Sequence, residues 1–171
     1  MPKVIKINPY SEKSVDKAIK QLKTFRAEVQ LKSKQLIERL ADIGFQIAST
    51  SGVSEGDTEF NGEAYVLYEY ADVSAKATLV LHGEGVAFIE FGAGVHFNAP
   101  PGQSMNPFGQ QLGLTIGSYG HGLGAHDAWT YYDEDERTYK LSYGTKASMP
   151  MATADEAIRE SFERVVREVF V

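Results

Sequence analysis

Residues 11–43 read SEKSVDKAIKQLKTFRAEVQLKSKQLIERLADI, and this stretch decides the fold class. Val15, Ile19, Leu22, Val29, Leu36, Leu40 and Ile43 recur at helical spacing, and Val15, Leu22, Val29, Leu36 and Ile43 fall every seven residues. Ser11 or Ser14 supplies an N-cap, and Gly44 supplies a stop. The expectation is a helix over 11–43 of about 30 residues, roughly 45 Å long at about 1.5 Å per residue. A small domain does not need a helix of that length. Arg26 and Ser33 interrupt the second row of the stripe, so a full coiled coil is not expected. Such a helix either overhangs its own domain to meet a partner or bends midway.

Downstream, the period changes from helical to alternating. Phe45–Ser51 is a short strand candidate, and Ala64–Tyr70 is rich in aromatic and β-branched residues. Ser74–His82 alternates, with Ala75, Ala77, Leu79 and Leu81 on one face and Lys76, Thr78, Val80 and His82 on the other. Val86–Phe91 is mostly apolar and reads as a further strand, closing a meander over 45–91. Trp129–Tyr132 and Thr138–Tyr143 form a hairpin across the acidic turn Asp133-Glu134-Asp135-Glu136-Arg137. Thr153-Ala154-Asp155-Glu156 is a capping box opening a helix over 153–170, with Ile158, Phe162, Val165, Val166 and Val169 as its apolar face. The whole predicts one α+β domain over 1–171, with a long N-terminal helix and a C-terminal helix packed on an antiparallel sheet of about four to six strands.

With 171 residues, 43% of them hydrophobic and 23% charged, the chain can bury a sizeable core without staples. The absence of cysteine excludes disulfides, thiolate metal ligation and thiol catalysis. No stretch of about 18 apolar residues predicts a membrane span, and Met1–Lys6 lacks the apolar core of a signal peptide. The net charge of −6 is unevenly spread. Residues 1–40 hold ten of the 17 Lys and Arg and four of the 23 Asp and Glu, leaving this part at +6 and the remainder at −12. Charge separated in this way suits head-to-tail packing of copies of the chain; a solvated, lysine-rich helix face is the blander reading.

Residues 92–128 predict a long loop of unusual composition. Between Glu90 and Asp127 there is no Asp, Glu, Lys or Arg, and nine glycines punctuate the run together with Pro100, Pro101 and Pro107. Loops of this length are uncommon in compact domains. One with scattered apolar residues and no charge is expected to be covered, partly by its own core and partly by a neighbouring chain. The helix 11–43 and the loop 95–126 are therefore the expected subunit contacts.

Each candidate for chemistry has an ordinary explanation beside it. His121, His126 and Asp127 are zinc-ligand types, with His96 available only through the fold. A spacing of five separates the two rings on a helix and puts them on opposite faces of a strand, so only a curled loop at Gly122 and Gly124 brings them together. Gly120-His121-Gly122-Leu123-Gly124 lacks the strand–turn–helix setting of a phosphate loop. Glu90, in an apolar run, is either a general base or a hydrogen-bonded structural carboxylate. The carboxylates of Asp133–Glu136 fit solvated surface better than a glycosidase pair. Tyr119, Trp129 and Tyr132 offer a stacking platform for a small ligand or glycan. Lys13, Lys17 and Lys20 form a basic ridge that suits an incidental DNA contact, although the acidic whole argues against an autonomous nucleic-acid binder.

Several marks stand in a familiar order: Ile89-Glu90-Phe91-Gly92-Ala93-Gly94 after the first strands, a long loop, the aromatic segment at Trp129, and Gly144…Ala147…Pro150-Met151 before the last helix. In this the chain resembles the tail-completion or neck (head–tail connector) proteins of long-tailed bacteriophages and prophages. It departs from the usual form at Ala93, where Thr is common, and at Met149 before Pro150. The resemblance implies a ring-forming or ring-docking structural part with no catalytic, cofactor-binding or metal residues to carry over. It implies as partners the chain itself and neighbouring head-closure or tail-terminator proteins, no membrane, and residence in the host cytoplasm and then the virion. The matching residues are Glu90, Phe91, Gly92, Gly94, Trp129, Ala147 and Pro150, all read as fold determinants.

Overall fold

The computed structural model describes residues 4–50, 55–56, 62–72, 74–92, 106–111 and 128–171. The first helix, α1, runs from Glu12 to Thr50, 39 residues, or about 58 Å at the helical rise. It starts where expected: the Ser11 carbonyl accepts from the amides of Ser14 at 2.9 Å and Val15 at 3.0 Å. The segment before it folds back, with the Asn8 amide donating to Ser14 Oγ at 2.9 Å.

Gly44 does not stop α1, and Phe45–Thr50 is helix, not strand. The glycine serves packing instead. A Cβ at this position would stand 2.7 Å from Ile158 Cδ1 and 3.3 Å from Leu79 Cδ2, so its absence lets other elements approach α1 closely.

Among the described residues six strands pair antiparallel in three two-stranded ribbons rather than in one sheet. β1 (Glu55–Gly56) pairs with β6 (Thr145–Lys146). β2 (Glu63–Tyr70) pairs with β3 (Ala75–His82), Glu63 lying opposite His82 and Tyr70 opposite Ala75. β4 (Trp129–Asp133) pairs with β5 (Thr138–Ser142), Tyr132 lying opposite Tyr139. The run Val86–Phe91, expected as a strand, is a short helix, α2, between Gly85 and Gly92. A short apolar run carries no period that separates strand from buried helix. Here Gly85 (φ 71°, ψ 13°) takes the left-handed conformation at one end and Gly92 (φ 71°, ψ 172°) a positive-φ, glycine-favouring one at the other, and the Gly92 amide closes the last turn on the Phe88 carbonyl. Within the span expected as a loop, Pro107–Gln111 forms a further short helix, α3.

The last helix, α4, spans Pro150–Phe170 and begins before the expected capping box. Pro150 occupies its first turn, where no amide is required. α4 runs antiparallel to the second half of α1. Leu40 packs with Val165 and Val169, joined by Leu36, Ile43 and Ile158. Ala48 meets Ala154 and Ala64, joined by Ile47, Leu79, Leu81 and Met151. The core is therefore a layer of α1 and α4 with one face of β2 and β3 on α1, which is the α+β arrangement expected. No helix among the described residues is long and apolar enough to cross a membrane.

Candidate functional site

The histidine cluster falls away from view: His96, His121, His126, Asp127, Tyr119 and the glycines at 120, 122 and 124 lie outside the described residues. Among the described residues no group of three or more His, Asp or Glu is placed to hold a metal ion.

Glu90 is described, and it is a capping group. Its buried carboxylate accepts from the Met151 amide at 2.8 Å (Oε2) and the Ala152 amide at 3.0 Å (Oε1), two of the unpaired donors that open α4. Asn106 Nδ2, fully buried, donates to Glu90 Oε1 at 2.6 Å and to the Glu90 carbonyl at 2.8 Å. Asn106 Oδ1 in turn accepts from the Phe108 amide at 2.8 Å and so caps α3. The Ile89 carbonyl accepts from the Ser148 amide at 2.8 Å. One carboxylate thus ties α2, α3 and α4 together. Its oxygens are occupied by donors, so the general-base reading has no geometry behind it. Gly92, Ala147 and Pro150 are buried around the same knot, so these motif residues are fold determinants here.

The acidic turn is also structural. Asp133 Oδ1 accepts from the amides of Asp135 at 3.0 Å and Glu136 at 2.9 Å. Lys140 Nζ lies 2.7 Å from Asp133 Oδ2 and 2.9 Å from Glu136 Oε1. The Glu136 amide, followed by Lys140, holds the Asp133 carboxyl below its ordinary range, and the two carboxylates push the Lys140 ammonium up. Tyr132 pairs edge-to-face with Tyr139 at 5.3 Å between ring centroids; of the other members of the expected stacking platform, Tyr119 and the Trp129 side chain lie outside what the structure describes.

Among the described residues, two exposed apolar surfaces bear on function. The first is the leading half of α1. The path of α4 ends beside Lys32, whose Nζ sits 5.7 Å from the centre of the Phe170 ring. Before that point Ile19, Leu22, Phe25 and Val29 are 46%, 51%, 46% and 38% exposed. They continue the stripe that Leu36, Leu40 and Ile43 bury. Leu22, Phe25 and Val29, with Tyr70, Ala71 and Ala75 at the turn of β2 and β3, line an open groove of about 820 Å³. Lys34 Nζ lies 4.3 Å from the centre of the Tyr70 ring, and the Tyr70 hydroxyl donates to Glu38 Oε1 at 2.7 Å. Desolvation by its neighbours and then this bond to Glu38 push the Tyr70 phenol up to about 12. Lys13, Lys17, Lys20, Lys23 and Arg26 border this half of the helix and form no ion pair among the described residues. The second surface is one face of the β4–β5 ribbon. Tyr132, Tyr139 and Leu141 are 50%, 76% and 52% exposed, whereas Ser142 on the alternate face is buried.

Reading the sequence missed this second surface. Its signal was the alternation of Thr130 with Tyr132 and of Tyr139 with Leu141, beside a turn rich in carboxylates. Comparison with protein-family models, with curated proteins and with solved structures gives no match.

Proposed function

We propose that this chain is a non-enzymatic assembly subunit, and that it completes or joins the tail to the head in the neck of a long-tailed phage or prophage. The observation that carries the assembly reading is the apolar stripe of α1, which continues past the end of α4 with Ile19, Leu22 and Val29 more than a third exposed. A helix face of this kind is covered when a neighbouring molecule supplies the other side. The head–tail assignment is narrower and draws on the resemblance through Glu90, Gly92, Ala147 and Pro150, residues that meet in one buried knot. On this reading the partners are further copies of the chain and adjoining head-closure or tail-terminator proteins. The place of action is the host cytoplasm during assembly, then the particle.

The test is electron microscopy of lysates from a phage or prophage carrying an in-frame deletion of this chain. Filled heads and free tails lying apart are expected. Joined, intact particles would sink the neck assignment.

A further inference from the structure

We infer that the leading half of α1 and the adjoining groove take the β4–β5 hairpin of a second copy of this chain, in a head-to-tail contact. The two surfaces are alike in having an apolar strip that stays more than a third exposed: Ile19, Leu22, Phe25 and Val29 on one, bordered by Val4 and Ile5 of the N-terminal segment, and Tyr132, Tyr139 and Leu141 on the other. They are opposite in charge. Residues 12–34 carry seven Lys and Arg against Glu12, Asp16 and Glu28. The hairpin tip, Asp133–Lys140, carries four carboxylates against Arg137 and Lys140. Lys140 engages Asp133 and Glu136, which leaves Glu134 and Asp135 without an ion pair among the described residues.

The two surfaces are not each other's main contact within one chain, because α1 packs chiefly on α4, β2 and β3. Pairing α1 with α1 of another copy would bring like charge against like charge. Pairing α1 with the hairpin brings opposite charges together around two apolar strips. The groove is open at the β2–β3 turn, where Tyr70, Ala71 and Ala75 provide a second apolar wall for the incoming tyrosines. A contact between two different surfaces leaves each copy with one free donor and one free acceptor, so it propagates into a ring or a chain. The inference rests on the assembly reading above, yet it concerns the purified chain alone, so it can fail while the neck assignment stands, or the reverse.

The test uses two surface variants and their mixture, followed by sedimentation velocity across a concentration series. Leu22→Ser with Phe25→Ser removes the helix strip; Tyr139→Ser with Leu141→Ser removes the hairpin strip. All four residues are exposed, so circular dichroism is expected to match wild type. Wild type is expected to associate with rising concentration and less so in high salt. Each variant alone is expected to associate at least about tenfold more weakly. An equimolar mixture is expected to form dimers and stop there, because each variant retains the surface the other lacks. Wild type that stays monomeric throughout overturns the inference. So does a mixture that forms no dimers, or a hairpin variant that associates as wild type does.

Discussion

Residues 15–29 and 36–48 of α1 share one apolar rhythm and one continuous helix, yet they end in opposite environments. In the second half Leu40, Ala41 and Ala48 are buried against α4 and the β2–β3 ribbon. In the first half Ala18 is buried, but Leu22, Phe25 and Val29 are 51%, 46% and 38% exposed among lysines. Spacing specifies that a face must be covered, not what covers it. The two halves also differ in their ties. Arg39 pairs with Glu168 and Tyr70 with Glu38, whereas Lys13, Lys17, Lys20, Lys23 and Arg26 form no ion pair among the described residues.

The sharpest way to break the comparison is to truncate the same residue type in each half. Leu40→Ala is expected to lower stability in urea by about 2–5 kcal/mol, because it opens a cavity between α1 and α4. Leu22→Ala is expected to stay within about 0.5 kcal/mol of wild type in the monomer. Equal losses would mean that the first half is covered in solution by its own chain.

Next in size is the knot. Glu90→Ala leaves the Met151 and Ala152 amides without their acceptor and takes from Asn106 Nδ2 one of its two, an expected loss of about 2–3 kcal/mol. Glu90→Gln, which keeps an acceptor oxygen, is expected to lose less. Hydrogen exchange is expected to speed up at the start of α4 and in residues 36–48 while residues 15–29 keep their wild-type rates. A uniform rise along α1 would erase the distinction between the halves.

The smallest effect lies at the junction, on Tyr70. Its folded pKa is raised from the ordinary 10.0 to about 12, so the folded state holds the phenolic proton more tightly than the unfolded chain does. That contribution is complete below pH 10.0 and is lost as the pH climbs towards about 12. Phenolate absorbance of wild type minus Tyr70→Phe is expected to show a tyrosine ionising above the others; an ordinary midpoint would remove the Glu38 tie.

How much of this was legible follows from the range of the forces involved. The start and face of α1, the strands at 64–70 and 75–82, and the hairpin across Asp133–Glu136 are set by neighbours a few positions away, and the sequence displays them. The end of α1 was not legible, because Gly44 is read as a stop until Ile158, from a distant part of the chain, is known to lie against it. Val86–Phe91 was ambiguous for want of a period. Glu90 looked like a carboxylate stranded in an apolar run, because its donors are 61 and 62 residues further on. The hairpin's alternation was visible, but whether its tyrosines are covered is a question of packing that alternation does not answer.

The Arg39–Glu168 pair joins positions 129 residues apart, and this separation sets a timetable. Helical turns in the first half of α1 need only local chain and form on the order of a microsecond. The second half gains its cover only when a loop of more than a hundred residues has closed, and non-local closure of that kind slows folding. The expected order has the charged leading half helical first, while Leu36, Leu40 and Ile43 wait, exposed, for α4. During that interval the lysines and arginines alongside them discourage one nascent chain from sticking to another.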